Sequence, residues 1–137
     1  MLRVAARSAA RSGALRAAPA QLRGFATGSV TELKTKDEFL AAKQSIVPSG
    51  AAIFDFSAVW CGPCKMIAPV YEALAKETPG VSFYKVDIDN PEMTEAITDA
   101  DISSVPTFVA YKNGSFVSQF SGADRQKLKS LVETLSR

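Results

Sequence analysis

No histidine occurs in the 137 residues, and cysteine occurs only twice, at Cys61 and Cys64. A structural zinc site needs four ligands, usually two cysteine pairs or cysteines with histidines, so these two residues fall short of one. No apolar stretch is long enough to cross a membrane, and no glycine-rich phosphate loop is present, which argues against a bound nucleotide. Proline (7) and glycine (8) are sparse while apolar residues make up 47%, placing the chain among globular proteins of about one domain.

Acid is also missing from one end: no Asp or Glu precedes Glu32, whereas five Arg do. Removing those five from 16 basic residues leaves 11 against 14 acidic ones, a net charge of −3 over the rest. A mildly acidic body does not suit a nucleic acid or an anionic membrane surface. The leader itself repeats Arg3, Arg7 and Arg11 at a spacing that stacks them on one helical face. An Arg-rich, acid-free amphipathic segment of this kind reads as a mitochondrial transit peptide, disordered and then cleaved. Arginines interrupt every apolar run before it reaches secretory-signal length. The string Arg23-Gly24-Phe25-Ala26 resembles a matrix-processing pattern and divides the chain into a transit peptide over 1–25 and a mature domain over 26–137, with the mitochondrial matrix as destination. The plainer alternative is a basic tail for an acidic partner.

Beyond the leader the sequence reads as one unit. Thr35 to Glu38 has the T-x-x-E form of a capping box and predicts a helix to about Gln44. The apolar run Ala51–Phe56 suits a buried strand. From Cys61 to about Glu77, Ile67, Val70, Tyr71 and Leu74 recur at helical spacing around Pro69, which deletes one backbone hydrogen bond and predicts a kink. Strands are expected at Val81–Ile88 and around Asn113-Gly114, a strong hairpin signal. A short helix is expected from Pro91 to about Ala100, and a terminal one on Leu128, Leu131, Val132 and Leu135. Val30–Leu33 adds a weak first strand. Strands joined through helices plus one hairpin predict a central mixed β-sheet flanked by helices, an α/β domain.

The cysteine pair then has two readings left. A structural disulfide closing so small a loop restrains the unfolded chain little; a redox pair beside a βαβ pattern is the stronger reading. At a helix start, free amides and the positive end of the helix dipole favour the Cys61 thiolate. Cys64, one turn later and expected to be the more buried, is placed to attack the mixed disulfide that Cys61 forms. Gly62 and Pro63 between them tune that ring toward reduction of others. Asp55, an acid inside an apolar strand, is a candidate proton acceptor for Cys64 with a pKa raised by burial, unless it faces water at an edge. Lys85 approaches it if the strands pair in register, or else runs out to solvent.

The stretches FDFSAVWCGPCKMIAP, YKVDIDN, SSVPTFVAYKNG and FSGAD, in this order, resemble the thioredoxin family, and with the leader its mitochondrial members. The resemblance spans about Ser29 to Arg137. It implies the thioredoxin fold in a single domain and a protein-disulfide reductase cycling between dithiol and disulfide. By the same likeness Cys61 is the nucleophile, Cys64 the resolving thiol, Asp55 the buried acid and Lys85 its neighbour. Pro106 is implied to be the cis-proline facing the disulfide. Val105 offers backbone hydrogen bonds, and Trp60, Gly62, Pro63, Gly122 and Ala123 complete a flat substrate-binding patch. The implied partners are an NADPH-dependent thioredoxin reductase and disulfide-containing targets such as peroxiredoxins, acting on a monomer without a metal or cofactor. Ser57 and Ser121 depart from the aromatic and apolar residues common at their positions.

Overall fold

A computed structural model describes residues 28–137; the transit peptide expected over 1–25 and the processing point at Ala26 lie outside the described residues. The elements follow in the order β1 (Val30–Leu33), α1 (Lys36–Gln44), β2 (Ala51–Ser57), α2 (Gly62–Glu77), β3 (Ser82–Asp87), a short 3-10 turn (Pro91–Met93), α3 (Thr94–Asp99), β4 (Thr107–Lys112), β5 (Ser115–Ser121) and α4 (Arg125–Ser136). The five strands form one sheet in the order β1-β3-β2-β4-β5. β1, β3 and β2 run parallel, whereas β4 lies antiparallel to both β2 and β5. Every residue of β2 is buried, because it has strands on both edges and helices on both faces.

The alternation of side chains along a strand sorts the core into two layers. Ala51 and Ile53 of β2, with Phe83, Phe108 and Ala110, pack against α2 and α4 through Ile67, Tyr71, Leu74, Leu128 and Leu131. Ala52, Phe54 and Phe56, with Tyr84, Val86 and Val109, pack against α1 and the Met93–Ala96 segment. Asp55 therefore shares its sheet face with α2, by position in the strand.

Local signals set most of the boundaries. The Thr35 hydroxyl accepts from the Glu38 amide at 3.1 Å, but the Glu38 carboxylate reaches back to the Lys34 amide at 2.7 Å rather than to that of Thr35. Asn113 and Gly114, with φ of 56° and 86°, supply the two left-handed residues that a tight hairpin needs. The helix expected from Pro91 to Ala100 is divided instead. Asn90 caps a 3-10 turn by accepting from the Glu92 amide, and α3 begins only at Thr94. Asp101 ends α3 in a left-handed conformation, φ 57°, with the Ile102 amide turned back onto the Ile97 carbonyl at 3.0 Å, a helix stop of the Schellman kind. Among the described residues two X-Pro bonds are cis: Val105–Pro106, as the family resemblance implied, and Val47–Pro48, which no sequence signal marked.

Candidate active site

The carboxyl end of β2 runs through Ala58–Trp60 into the first turn of α2, and this junction places the cysteines. Cys61 is the N-cap of α2, extended at φ −90° and ψ 112°, and its Sγ accepts from the Cys64 amide at 3.1 Å. Pro63 lies in the first helical turn, where its missing N–H costs nothing. That turn contains no acidic residue, so the amide and the helix dipole act unopposed on the sulfur. Cys61 and Cys64 form a disulfide with their Cα atoms 5.3 Å apart.

Cys64 is not more buried than Cys61, contrary to expectation: their exposures are 5% and 4%. In the closed ring both sulfurs turn into a small cluster with Ala58, against which Ile88 and Val105 pack. The Val105 carbonyl lies 3.8 Å from the Cys61 sulfur, a van der Waals contact, since a disulfide sulfur has no hydrogen to donate.

Asp55 is 3% exposed, and its Oδ1 has no hydrogen-bond partner. Burial pushes its carboxyl from the ordinary 3.8 up to about 7, opposed in part by the positive charge of Lys85. The two are register partners across β2 and β3. Lys85 itself is exposed and acts across the strands without closing an ion pair, the described residues having theirs between Lys36 and Glu95.

The surface around the sulfurs is apolar and open. Trp60 is 66% exposed, which removes it from the core, and its indole N–H donates to Asp89 Oδ2 at 2.8 Å. Val59, next to it in sequence, and Met66, on α2, are exposed as well. A cleft of about 410 Å³ opens between Trp60, Ile88, Ile97, Ile102 and Val105. Asp89, Val59, Met66 and the three isoleucines were not singled out from sequence; for Asp89 the available signal was the acidic turn directly after β3. Gly122, with φ of +104° and open space where a Cβ would stand, donates its amide to the Pro106 carbonyl at 2.8 Å and thereby joins the Val105–Pro106 and Gly122–Ala123 loops. Gly62 and Pro63 are exposed on the same first turn of α2. Of the departures from the family pattern, Ser57 is buried, and Ser121 lies 2.8 Å from the Thr107 hydroxyl.

A sequence model of the family described as Thioredoxin matches residues 30–136. The chain belongs to the thioredoxin family. Thioredoxin O1, a mitochondrial protein of Arabidopsis thaliana, is 41% identical over 110 residues, covering 77% of this chain but only 55% of that longer one. Thioredoxin of Gallus gallus is 40% identical over 98 residues, or 72% of this chain and 87% of the relative. The crystal structure of oxidised thioredoxin O1 from Arabidopsis thaliana superposes with a TM-score of 0.74 at 40% identity, over 80% of this chain and 99% of the other. The thioredoxin-family chain is thus a thiol–disulfide oxidoreductase that works on disulfide-bearing proteins, with Cys61–Cys64 as its redox-active disulfide. Thioredoxins are as a rule recharged by a thioredoxin reductase.

Proposed function

We propose that this thioredoxin reduces protein disulfides in the mitochondrial matrix. The observation that carries the chemistry is the Cys61 sulfur seated as the cap of α2 with the Cys64 amide on it. Negative charge on that sulfur is favoured in the dithiol state, so Cys61 attacks as a thiolate. The target's S–S bond breaks, Cys61 forms a mixed disulfide with one target sulfur, and the other leaves as a thiolate that takes up a proton. Cys64 then yields its proton to the Asp55 carboxylate and attacks the Cys61 sulfur, expelling the second target thiolate. Two electrons pass to the target while Cys61–Cys64 closes; the first target thiolate takes its proton from solvent, and the proton held on Asp55 is released to protonate the second. Lys85 moderates the Asp55 carboxyl. Trp60, Val105, Pro106, Gly122 and Ala123 receive the extended target segment, and Gly62-Pro63 sets the ring toward reduction.

The mitochondrial assignment draws support from the Arg-rich, acid-free leader and from the mitochondrial relative. On this reading residues 1–25 are removed on import, the mature domain from Ala26 acts as a monomer, a flavin-dependent thioredoxin reductase supplies electrons from NADPH, and peroxiredoxins are among the targets. The test is Cys64→Ser expressed with its own leader. Resolution is blocked, so mixed disulfides on Cys61 should accumulate on matrix proteins and disappear with added dithiol. Failure to trap any protein, or trapping that persists in Cys61→Ser, would refute it.

A further inference from the structure

Tyr71 is wholly buried, two residues beyond Pro69, on the same stripe of α2 that carries Cys64, Ile67 and Leu74. Pro69 has no N–H to give to the carbonyl one turn earlier, so the backbone tie between the cysteine-bearing turn and the helix body is weakened there. A side-chain tie stands next to the gap. The Tyr71 hydroxyl lies 2.7 Å from the Tyr84 carbonyl and 3.0 Å from the Ile53 carbonyl, one acceptor on β3 and one on β2. Tyr84 directly precedes Lys85, and Ile53 is two residues before Asp55 on the same face. The hydroxyl thus clamps α2 over the seam between the two strands just before the Asp55–Lys85 register pair. Its ring is held by Phe83 and Phe108 at 5.1 and 5.5 Å between centroids.

A phenol has one proton, and here it is committed to backbone carbonyls. Asp55 receives none of it, as its unpartnered Oδ1 shows. Around that carboxyl, β3 contributes Lys85, β4 places the uncharged Phe108 opposite, and the buried stripe of α2 contributes Tyr71. We propose that the Tyr71 hydroxyl is a positioning group for the redox reaction: by closing the α2–β2–β3 seam and withholding its proton, it keeps Asp55 dry and able to hold and release the proton that Cys64 gives up. The consequence for Cys64 rests on the role given to Asp55 above. That burial is the chief cause of the raised Asp55 pKa, and that Tyr71 is pushed up first by its own burial and then by the Asp55 charge, both agree with a shared seam.

The experiment is Tyr71→Phe, which retains the ring. The Asp55 carboxyl is titrated by carbon-13 NMR in the oxidised protein. Its midpoint, about 7 in the unaltered chain, should fall by at least about half a unit, roughly a three-fold loss of proton affinity. In the reduced protein, the pH dependence of Cys64 attack should move with it, followed with a thionitrobenzoate group bound to Cys61, while the rate of Cys61 attack on free aromatic disulfide changes less than about two-fold. Leu74→Ala, on the same stripe but away from the seam, should leave the midpoint in place. An unmoved midpoint in Tyr71→Phe, or an equal fall in Leu74→Ala, overturns the proposal. Should Tyr71→Phe not fold, 3-fluorotyrosine at position 71 is read by fluorine NMR. An inflection at the Asp55 midpoint supports the shared seam, and its absence overturns it. If instead Asp55→Asn leaves the pH dependence of Cys64 attack unchanged, the proton role of Asp55 fails while the tie between Tyr71 and Asp55 stands.

Discussion

Replacing Asp55 by Asn should make the protein more stable and less active, with a stability gain that depends on pH in a fixed direction. The carboxyl titrates near 3.8 in the unfolded chain and at about 7 in the fold. Below about pH 4 it is protonated in both states and contributes nothing. Between those values the folded protein retains a proton that the unfolded chain has lost, so stability falls with each rising unit by about 1.4 kcal/mol, to about 4 kcal/mol in all by neutrality. Above about 7 the full penalty is in place. Urea denaturation of the oxidised protein from pH 3.5 to 8.5 should therefore show Asp55→Asn matching the unaltered chain at the acid end and exceeding it by up to about 4 kcal/mol at pH 8. The same variant should slow Cys64 attack by on the order of 10²-fold, the usual loss when a positioned proton acceptor is removed. A stability difference constant across pH, or an Asn variant weaker at pH 8, would refute the account of a desolvated carboxyl held at a cost.

Gly114→Ala should destabilise the protein by about 1–2 kcal/mol in thermal or urea unfolding, because a side chain is disfavoured at φ +86° and its Cβ would stand 2.7 Å from the Val47 methyl. Asp89→Ala frees the indole of Trp60, the one tryptophan in the chain. Its fluorescence should shift, and KM for a protein disulfide should rise about five-fold, as for loss of a hydrogen bond worth about 1 kcal/mol, with kcat changed less than two-fold.

Much of this fold is legible because its local signals agree with its long-range pairing. Asn113-Gly114 names the hairpin before any strand partner is known, and Leu128, Leu131, Val132 and Leu135 mark a buried helical face that is indeed buried. The burial of Asp55 is legible too, since an acid inside an apolar run stands out against its neighbours, whereas its pairing with Lys85 hangs on a strand register that the sequence leaves as a condition and the fold meets. Less can be read where the third dimension decides. The division at Pro91–Met93 depends on Asn90 capping a turn whose apolar spacing is weak. Equal burial of the two sulfurs depends on Ala58, Ile88 and Val105 closing over the ring. The hydroxyl of Tyr71 is invisible in sequence, where the residue counts as one more apolar position of a helix; only the seating of α2 on β2 and β3 reveals what its oxygen touches.

In the oxidised protein neither sulfur offers more than a sliver of itself to a visitor. A recessed disulfide selects by shape before it selects by chemistry: the donor that recharges it must bring its thiol on something narrow and projecting, such as a strand end or a loop tip. Thiols sunk within a well-packed neighbour are held off by sterics alone, and an oxidised carrier of this build can circulate among folded proteins without drawing electrons from those whose cysteines lie deep.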